Sequence, residues 1–202
     1  MISIAIEAPQ NRMHDGAVQL APFDLADAVT VMKWDADPDI QRWYDWPQTP
    51  PWNDPEAHDT RRANAERVIQ AKSAAWAAGE EFAFVIHSAE TGEGLGWIDL
   101  QPRGHGRGNV AYGVLTQHRG KGAATRSVLL VCRYAYDVLG WTRLEICTMA
   151  HNAASRRVAA KAGFQLEGVL RSYSAYGKYE PLIGVRSDWA IYGRLCAELL
   201  RH

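Results

Sequence analysis

Cysteine is scarce in this 202-residue chain: Cys132, Cys147 and Cys196 stand far apart, each in an apolar stretch. No CxxC pair, no His/Cys group at metal-ligand spacing and no HExxH occurs, which excludes zinc ribbons, dithiol redox motifs and zinc proteases; no metal is expected. The thiols read as buried and reduced, the state of a cytoplasmic protein. Long hydrophobic runs are missing too. Nothing reaches the roughly 18 apolar residues of a membrane span, and residues 1–9 lack the basic start and apolar centre of a secretory leader. Nor is there an excess of either charge. With 22 Lys and Arg against 23 Asp and Glu, the formal net charge is −1, so no general attraction to nucleic acid or an anionic membrane is expected. Repeats and low-complexity linkers are absent, and 47% hydrophobic with 22% charged residues is a globular composition; one domain over 1–202 is expected.

Periodicity and punctuation place the elements. Residues 1–14 read as a loose start. Val18–Pro22 alternates as a short strand, and Asp24, three residues before Asp27, caps a helix running to about Trp34. From Asp35 to Asp59, prolines at 38, 47, 50, 51 and 55 exclude long regular structure. Trp34, Trp43, Tyr44, Trp46 and Trp52 lie in or beside that stretch. Such aromatic density suits either an acceptor-pocket wall, with Trp43, Trp46 and Trp52 touching substrate, or a lid over one sheet face. Its acidic residues (Asp35, Asp37, Asp39, Asp45, Asp54, Glu56) would draw in a cationic acceptor or solvate the lid. Thr60–Ala78 reads as a helix with Ala63, Val68, Ala71, Ala75 and Trp76 as its apolar stripe, ended by Gly79. Strands follow at 82–87, 95–100 and 109–115, then a helix over Ala123–Leu139, a strand at 142–149 and a helix over Asn152–Ala162. Two last strands span 164–170 and about 181–192, the latter running into a short helix. Hairpins followed by β-α-β-α-β-β imply an α/β fold with a mixed, mostly antiparallel central sheet flanked by helices.

The most informative segment is Val114-Leu115-Thr116-Gln117-His118-Arg119-Gly120-Lys121-Gly122-Ala123-Ala124. A strand enters a loop with two glycines, and a helix begins at once. Unpaired N–H groups and the positive end of the helix dipole attract an anion there, and glycine lets the backbone approach it. Such a cradle suits a diphosphate. A Walker loop fails because Gly120-Lys121 is followed by Gly122, not Ser or Thr; a GxGxxG dinucleotide fingerprint fails as well. The glycines at 92, 94, 96 and at 104, 106, 108 read as hairpin turns. What is present is Gln-x-x-Gly-x-Gly: Gln117, Gly120, Gly122. About thirty residues on come Asn152-x-x-Ser155, Lys161-x-Gly163-Phe164 and Glu167-Gly168. Locally, Asn152 caps a helix, Gly163 closes it and Phe164 returns the chain to the core.

The joint pattern resembles the GNAT superfamily of N-acetyltransferases and, within it, the RimJ/RimL-like enzymes that acetylate ribosomal-protein N-termini. Residues 18–28, 37–40 and 187–192 resemble the same branch, so the likeness spans about 16–195. It implies the acyl-CoA N-acyltransferase fold, acetyl-CoA as donor, and direct attack by a primary amine in a ternary complex. The amine is a peptide or protein N-terminus, or a small molecule. By the same resemblance, main-chain N–H groups around Arg119–Ala124 hold the diphosphate, with Arg119 and Lys121 adding charge or remaining solvated. The strand through Tyr112, Val114 and Leu115 splays from its neighbour to bond the pantetheine, Tyr112 also serving the acceptor side, and Asn152 bonds the pantetheine arm. Many members carry an acidic Tyr eight residues after that Asn, where this chain has Ala160; the branch uses the Ser three residues after it, here Ser155, whose structural alternative is first-turn capping. The carboxylate base of many relatives falls at Ala111 here. Asp99 and Glu167 are the substitutes, each with a structural role as alternative, and a water relay is a third route. Tyr173, Tyr176 and Tyr179 are candidates for the acceptor mouth. Two rival readings stay open: a small-molecule or antibiotic amine acetyltransferase, and a non-catalytic acyl-CoA-binding regulator. A monomer or a homodimer fits each.

Overall fold

The computed structural model describes residues 5–7, 12–43, 57–175 and 185–201. Its strands are β1 (Ala5–Glu7), β2 (Arg12–His14), β3 (Val18–Pro22), β4 (Phe82–Ser88), β5 (Gly94–Pro102), β6 (Arg107–Val114), β7 (Arg143–Met149), β8 (Gln165–Ala175) and β9 (Arg186–Leu195). They form one sheet in the order β1-β2-β3-β4-β5-β6-β7-β9-β8. Each neighbouring pair is antiparallel except β6 and β7, which run parallel. The helices are α1 (Ala28–Ala36), α2 (Pro38–Trp43), α3 (His58–Ala77), α4 (Ala123–Arg133) and α5 (Ala153–Lys161). The mixed, mostly antiparallel sheet flanked by helices is therefore present.

Alternation along the strands gives the sheet two apolar faces. On one, Leu20, Phe84, Ile86, Ile98, Leu100, Val110, Leu144 and Ile146 pack with Val128, Leu130 and Val131 of α4 and Ala159 of α5. On the other, Ala83, Val85, Trp97 and Leu115 pack with Val31, Met32 and Trp34 of α1 and Ala65 and Ile69 of α3. Because β6 and β7 are parallel, a crossover must join them, and α4 is that crossover. Its first turn consequently lies just past the end of β6.

Several elements differ from expectation for identifiable reasons. Residues 1–14 contain β1 and β2, which extend the sheet; only Met13 in β2 is a fully buried anchor, too short a pattern to register as a strand. In α3 the buried side is Arg61, Ala65 and Ile69, whereas Val68 and Ala71 face solvent. An arginine in the stripe hides it from a hydrophobicity reading. The helix after Gly122 ends at Arg133 and relaxes into a wider π-type turn over Tyr134–Val138. The capping expectation holds: Asp24 Oδ1 accepts from Ala26 N at 2.9 Å and Asp27 Oδ2 from Asp24 N at 3.0 Å, although the first turn is 3-10 before α1 proper.

Candidate active site

The parallel pairing of β6 and β7 is brief. Arg107, Gly108 and Asn109 face Arg143, Leu144 and Glu145, and beyond that the strands separate while still extending to Val114 and Met149. A wedge inside the sheet leaves main-chain donors and acceptors facing a gap, which costs free energy unless something pairs with them. A cavity of about 970 Å³ occupies the gap. Its lining includes residues from both faces of the sheet: Tyr112, Val114 and Ile146 from the α4 face, and Asn109, Ala111, Glu145 and Cys147 from the other. The cavity therefore passes through the sheet, with α4 and α5 at one mouth and Ile40, Arg42 and Trp43 of α2 with Tyr173 and Trp189 at the other.

At the first mouth, Gly120, Gly122, Ala123, Ala124 and Thr125 line the cavity. Gly122 is the N-cap of α4 in the left-handed conformation (φ 87°), where a side chain would be strained and offers no capping oxygen. The first N–H groups of α4 thus lack a side-chain partner and open on the cavity, the arrangement that binds anions. Arg119 lines the cavity, but its Nε donates to Val114 O at 2.9 Å and its Nη1 meets Asp39 Oδ2 at 2.7 Å. It ties the loop to β6 and α2. Lys121 is exposed and makes no ion pair among the described residues. Gln117 is exposed in the 3-10 turn Thr116–His118, its amide near the His118 ring, and does not line the cavity. Leu115 is buried in the α1–α3 core and its N–H donates to Leu95 O, so Val114 is the residue of that pair that borders the gap.

The loop has an anchor that the sequence reading missed. Asp37, buried, accepts at Oδ1 from Asp39 N (3.0 Å), Ile40 N (3.3 Å) and Thr116 Oγ1 (2.8 Å), and at Oδ2 from Thr116 N (2.8 Å). Its signal was legible: an Asp directly before a Pro at the first helical position is an N-cap. With Asp39 on Arg119 and Asp35 facing Arg61, the acidic residues described in this segment serve internal ties and not an acceptor field.

Asn152 and Ser155 line the cavity at the start of α5. Asn152 Oδ1 accepts from Ser155 N at 3.0 Å, the expected cap. Ser155 Oγ lies 3.0 Å from the hydroxyl of Tyr112, which also donates to Ser155 O at 3.2 Å. Two hydroxyls from β6 and α5 therefore meet beside the gap. Burial pushes the Tyr112 phenol up to about 12, so it is a neutral donor at ordinary pH.

Neither expected base lines the cavity. Asp99 is registered against Ala111, but its carboxylate turns to Lys72 (3.6 Å) and to Gln101 Nε2 (3.2 Å). Burial pushes it up to about 7, Lys72 opposing and Glu81 reinforcing the shift. Glu167, on the exposed strand β8, is held by both terminal nitrogens of Arg143, which lowers its pKa. The carboxylate that does line the cavity is Glu145, on β7. Alternation could have revealed it, since Leu144 and Ile146 point into the α4-side core and leave Glu145 and Cys147 on the opposite face. Trp43 lines the mouth on the α2 side, its ring 5.4 Å from that of His151. Trp46, Trp52, Tyr176 and Tyr179 lie outside the described residues. Among the described residues, no three His, Cys, Asp or Glu gather to hold a metal, and no helix is long and apolar enough to cross a membrane.

A sequence profile of the acetyltransferase (GNAT) domain matches residues 18–165. The chain belongs to the GNAT acetyltransferase family. It is 33% identical over 90 residues to the uncharacterized N-acetyltransferase YoaA of Bacillus subtilis, a match covering 44% of this chain and 51% of YoaA; the chain spans about half the length of that curated GNAT relative. In fold this GNAT chain is similar to a putative ribosomal-protein-serine acetyltransferase from Vibrio cholerae, with a TM-score of 0.73 at 18% identity over 94% of this chain and 99% of the other. It is also similar to Mycobacterium smegmatis RimJ in complex with a CoA-disulfide, with a TM-score of 0.74 at 22% identity over 90% of this chain and 83% of RimJ.

Proposed function

We propose that this GNAT chain transfers the acetyl group of acetyl-CoA to a primary amine, a peptide or protein N-terminus in the manner of the RimJ/RimL-like branch. The observation that carries the proposal is the continuity of one cavity from the uncapped first turn of α4, through the gap between β6 and β7, to the α2 side. A donor with a diphosphate at one end and a chain of secondary amides behind it has matching chemistry. The first-turn N–H groups take the anion, and the gap-facing main chain of β6 pairs with the amides. Pairing an extended, amide-bearing arm with an open strand edge is strand addition by a small molecule.

In this reading Asn152 holds both its helix cap and the arm, and Ser155 protonates the departing sulfur. Tyr112, hydrogen-bonded to Ser155, orients that hydroxyl. The amine approaches from the α2 side, where Trp43, Tyr173 and Trp189 form an aromatic wall. Restraining both reactants across one narrow gap supplies the proximity that a direct attack needs.

The test is a thiol-release assay with acetyl-CoA and a panel of Ser-initiated and Ala-initiated peptides, benzylamine and an aminoglycoside. Turnover with at least one peptide and little with the aminoglycoside is expected. Tight binding of acetyl-CoA without transfer to any amine would instead favour a regulatory acyl-CoA binder.

A further inference from the structure

The position that holds a base in many relatives is Ala111, and Asp99 and Glu167 both turn away from the cavity. An acceptor that arrives as an ammonium ion has to lose a proton to a group within reach of its nitrogen, directly or through one water. Among the described residues that line the cavity, Glu145 is the sole carboxylate. It stands opposite Asn109, in the last register pair before β6 and β7 part, and therefore at the inner end of the gap where the two mouths meet. Its neighbours on that face are Cys147 along β7 and, two residues beyond Asn109 on β6, Ala111.

Arg143 governs how Glu145 sits. Its Nε donates to Glu145 Oε1 at 3.0 Å, while Nη1 and Nη2 engage the two oxygens of Glu167. The guanidinium already has a bidentate carboxylate and does not need a second one for neutrality. One cation thus lies between two carboxylates, and Glu145 is the member of the three that lines the cavity. Its side chain retains 25% of its exposure, and Oε2 makes no hydrogen bond among the described residues. Arg103 lines the same cavity and donates to Gln101 Oε1 at 3.2 Å, not to Glu145. A carboxylate fixed by one nitrogen, with its second oxygen open to the gap, has the form of an oriented base.

We infer that Glu145 is a catalytic residue that receives the acceptor as its ammonium ion and removes a proton before attack. The inference rests on the acetyl-transfer reading above. The ammonium gives one proton to Glu145, which passes it to solvent. The freed lone pair forms the C–N bond, and the C–S bond breaks with its electron pair on sulfur. Nitrogen then releases its second proton to solvent. Sulfur takes a proton from the Ser155 hydroxyl, which regains one from solvent, so the products are the amide, the coenzyme thiol and one net proton.

The experiment compares wild type with Glu145→Gln and Glu145→Asp at pH 7, using acetyl-CoA and two kinds of nucleophile. The Ser- and Ala-initiated peptides and benzylamine are mainly ammonium ions at that pH, whereas methoxyamine is neutral and needs no deprotonation before attack. Glu145→Gln should lower kcat about 100-fold for the ammonium acceptors, the usual scale for loss of a general base, while methoxyamine turnover and calorimetric affinity for acetyl-CoA stay near wild type. Glu145→Asp should recover part of the loss. Unchanged turnover with the ammonium acceptors overturns the inference, and so does an equal loss with methoxyamine, which marks a structural defect. A wild-type enzyme that binds acetyl-CoA and acetylates none of these nucleophiles overturns it too. Failure to bind acetyl-CoA at all overturns the donor reading beneath it.

Discussion

One short contact joins Ser155 and Tyr112, from distant parts of the chain, beside the gap between β6 and β7. The hydroxyls lie 3.0 Å apart although 43 residues separate them, and either can donate. Ser155→Ala should cut kcat about 100-fold, the common scale for a lost general acid, with acetyl-CoA affinity nearly unchanged by calorimetry. Tyr112→Phe, which keeps the ring and removes the orienting hydroxyl, should lower kcat less. Equal wild-type turnover in both variants would show that the pair only braces α5. Asp99 gives a second prediction at this scale. Its folded pKa is raised to about 7 from 3.8, chiefly by burial, so between those values the folded protein binds more protons than the unfolded one. The resulting contribution is fully present below about pH 4 and fades as pH rises through 7. In Asp99→Asn, the difference in melting temperature between pH 4 and pH 8 should shift in favour of pH 8 relative to wild type. Ser155 was singled out through the family resemblance, as the Ser three residues after Asn152. The destinations of Asp99 and Glu167 were not legible, because Lys72 and Arg143 reach them only through the sheet's pairing.

At the scale of elements, the loop between β6 and α4 is held from outside itself. Asp37 caps α2 and fastens Thr116 with the same carboxylate, and Arg119 fastens Val114 to Asp39. Asp37→Ala leaves buried donors unpaired and should cost about 2 kcal/mol in urea unfolding, while weakening acetyl-CoA binding because the cradle loses its anchor. If stability fell and donor affinity did not, the anchor would matter to the fold alone. The loop was read correctly as a strand–glycine–helix transition because glycine and period change are local signals. The apolar stripe expected for α3 holds at Trp76, which packs on Phe82 and Phe84, but not at Val68 and Ala71, because the fully buried side carries Arg61, with Asp35 facing it. β1 and β2 were missed because three-residue strands carry too little alternation to detect.

At the scale of the whole molecule, the feature that matters is the opening of the parallel pair. Among the described residues nine strands form one sheet, and where β6 and β7 part after Asn109 and Glu145, a cavity crosses from the α4 side to the α2 side. The alternating order of strands and helices made the α/β architecture legible. The opening itself is a property of where pairing stops, and residue types did not mark it; it was expected solely through the family resemblance. Glu145 illustrates the consequence, since its place on β7 acquires meaning only once the strands are seen to part beside it.

A crystal structure of the protein with coenzyme A bound tests whether the first turn of α4 and the gap between β6 and β7 hold the donor. Diphosphate oxygens are expected about 3 Å from the main-chain N–H groups of residues 122–125, at ordinary hydrogen-bond distance, with the thiol end between β6 and β7 near Glu145 and Ser155. A bound molecule whose diphosphate sits away from the first turn of α4, or whose arm bypasses the gap, would contradict that placement.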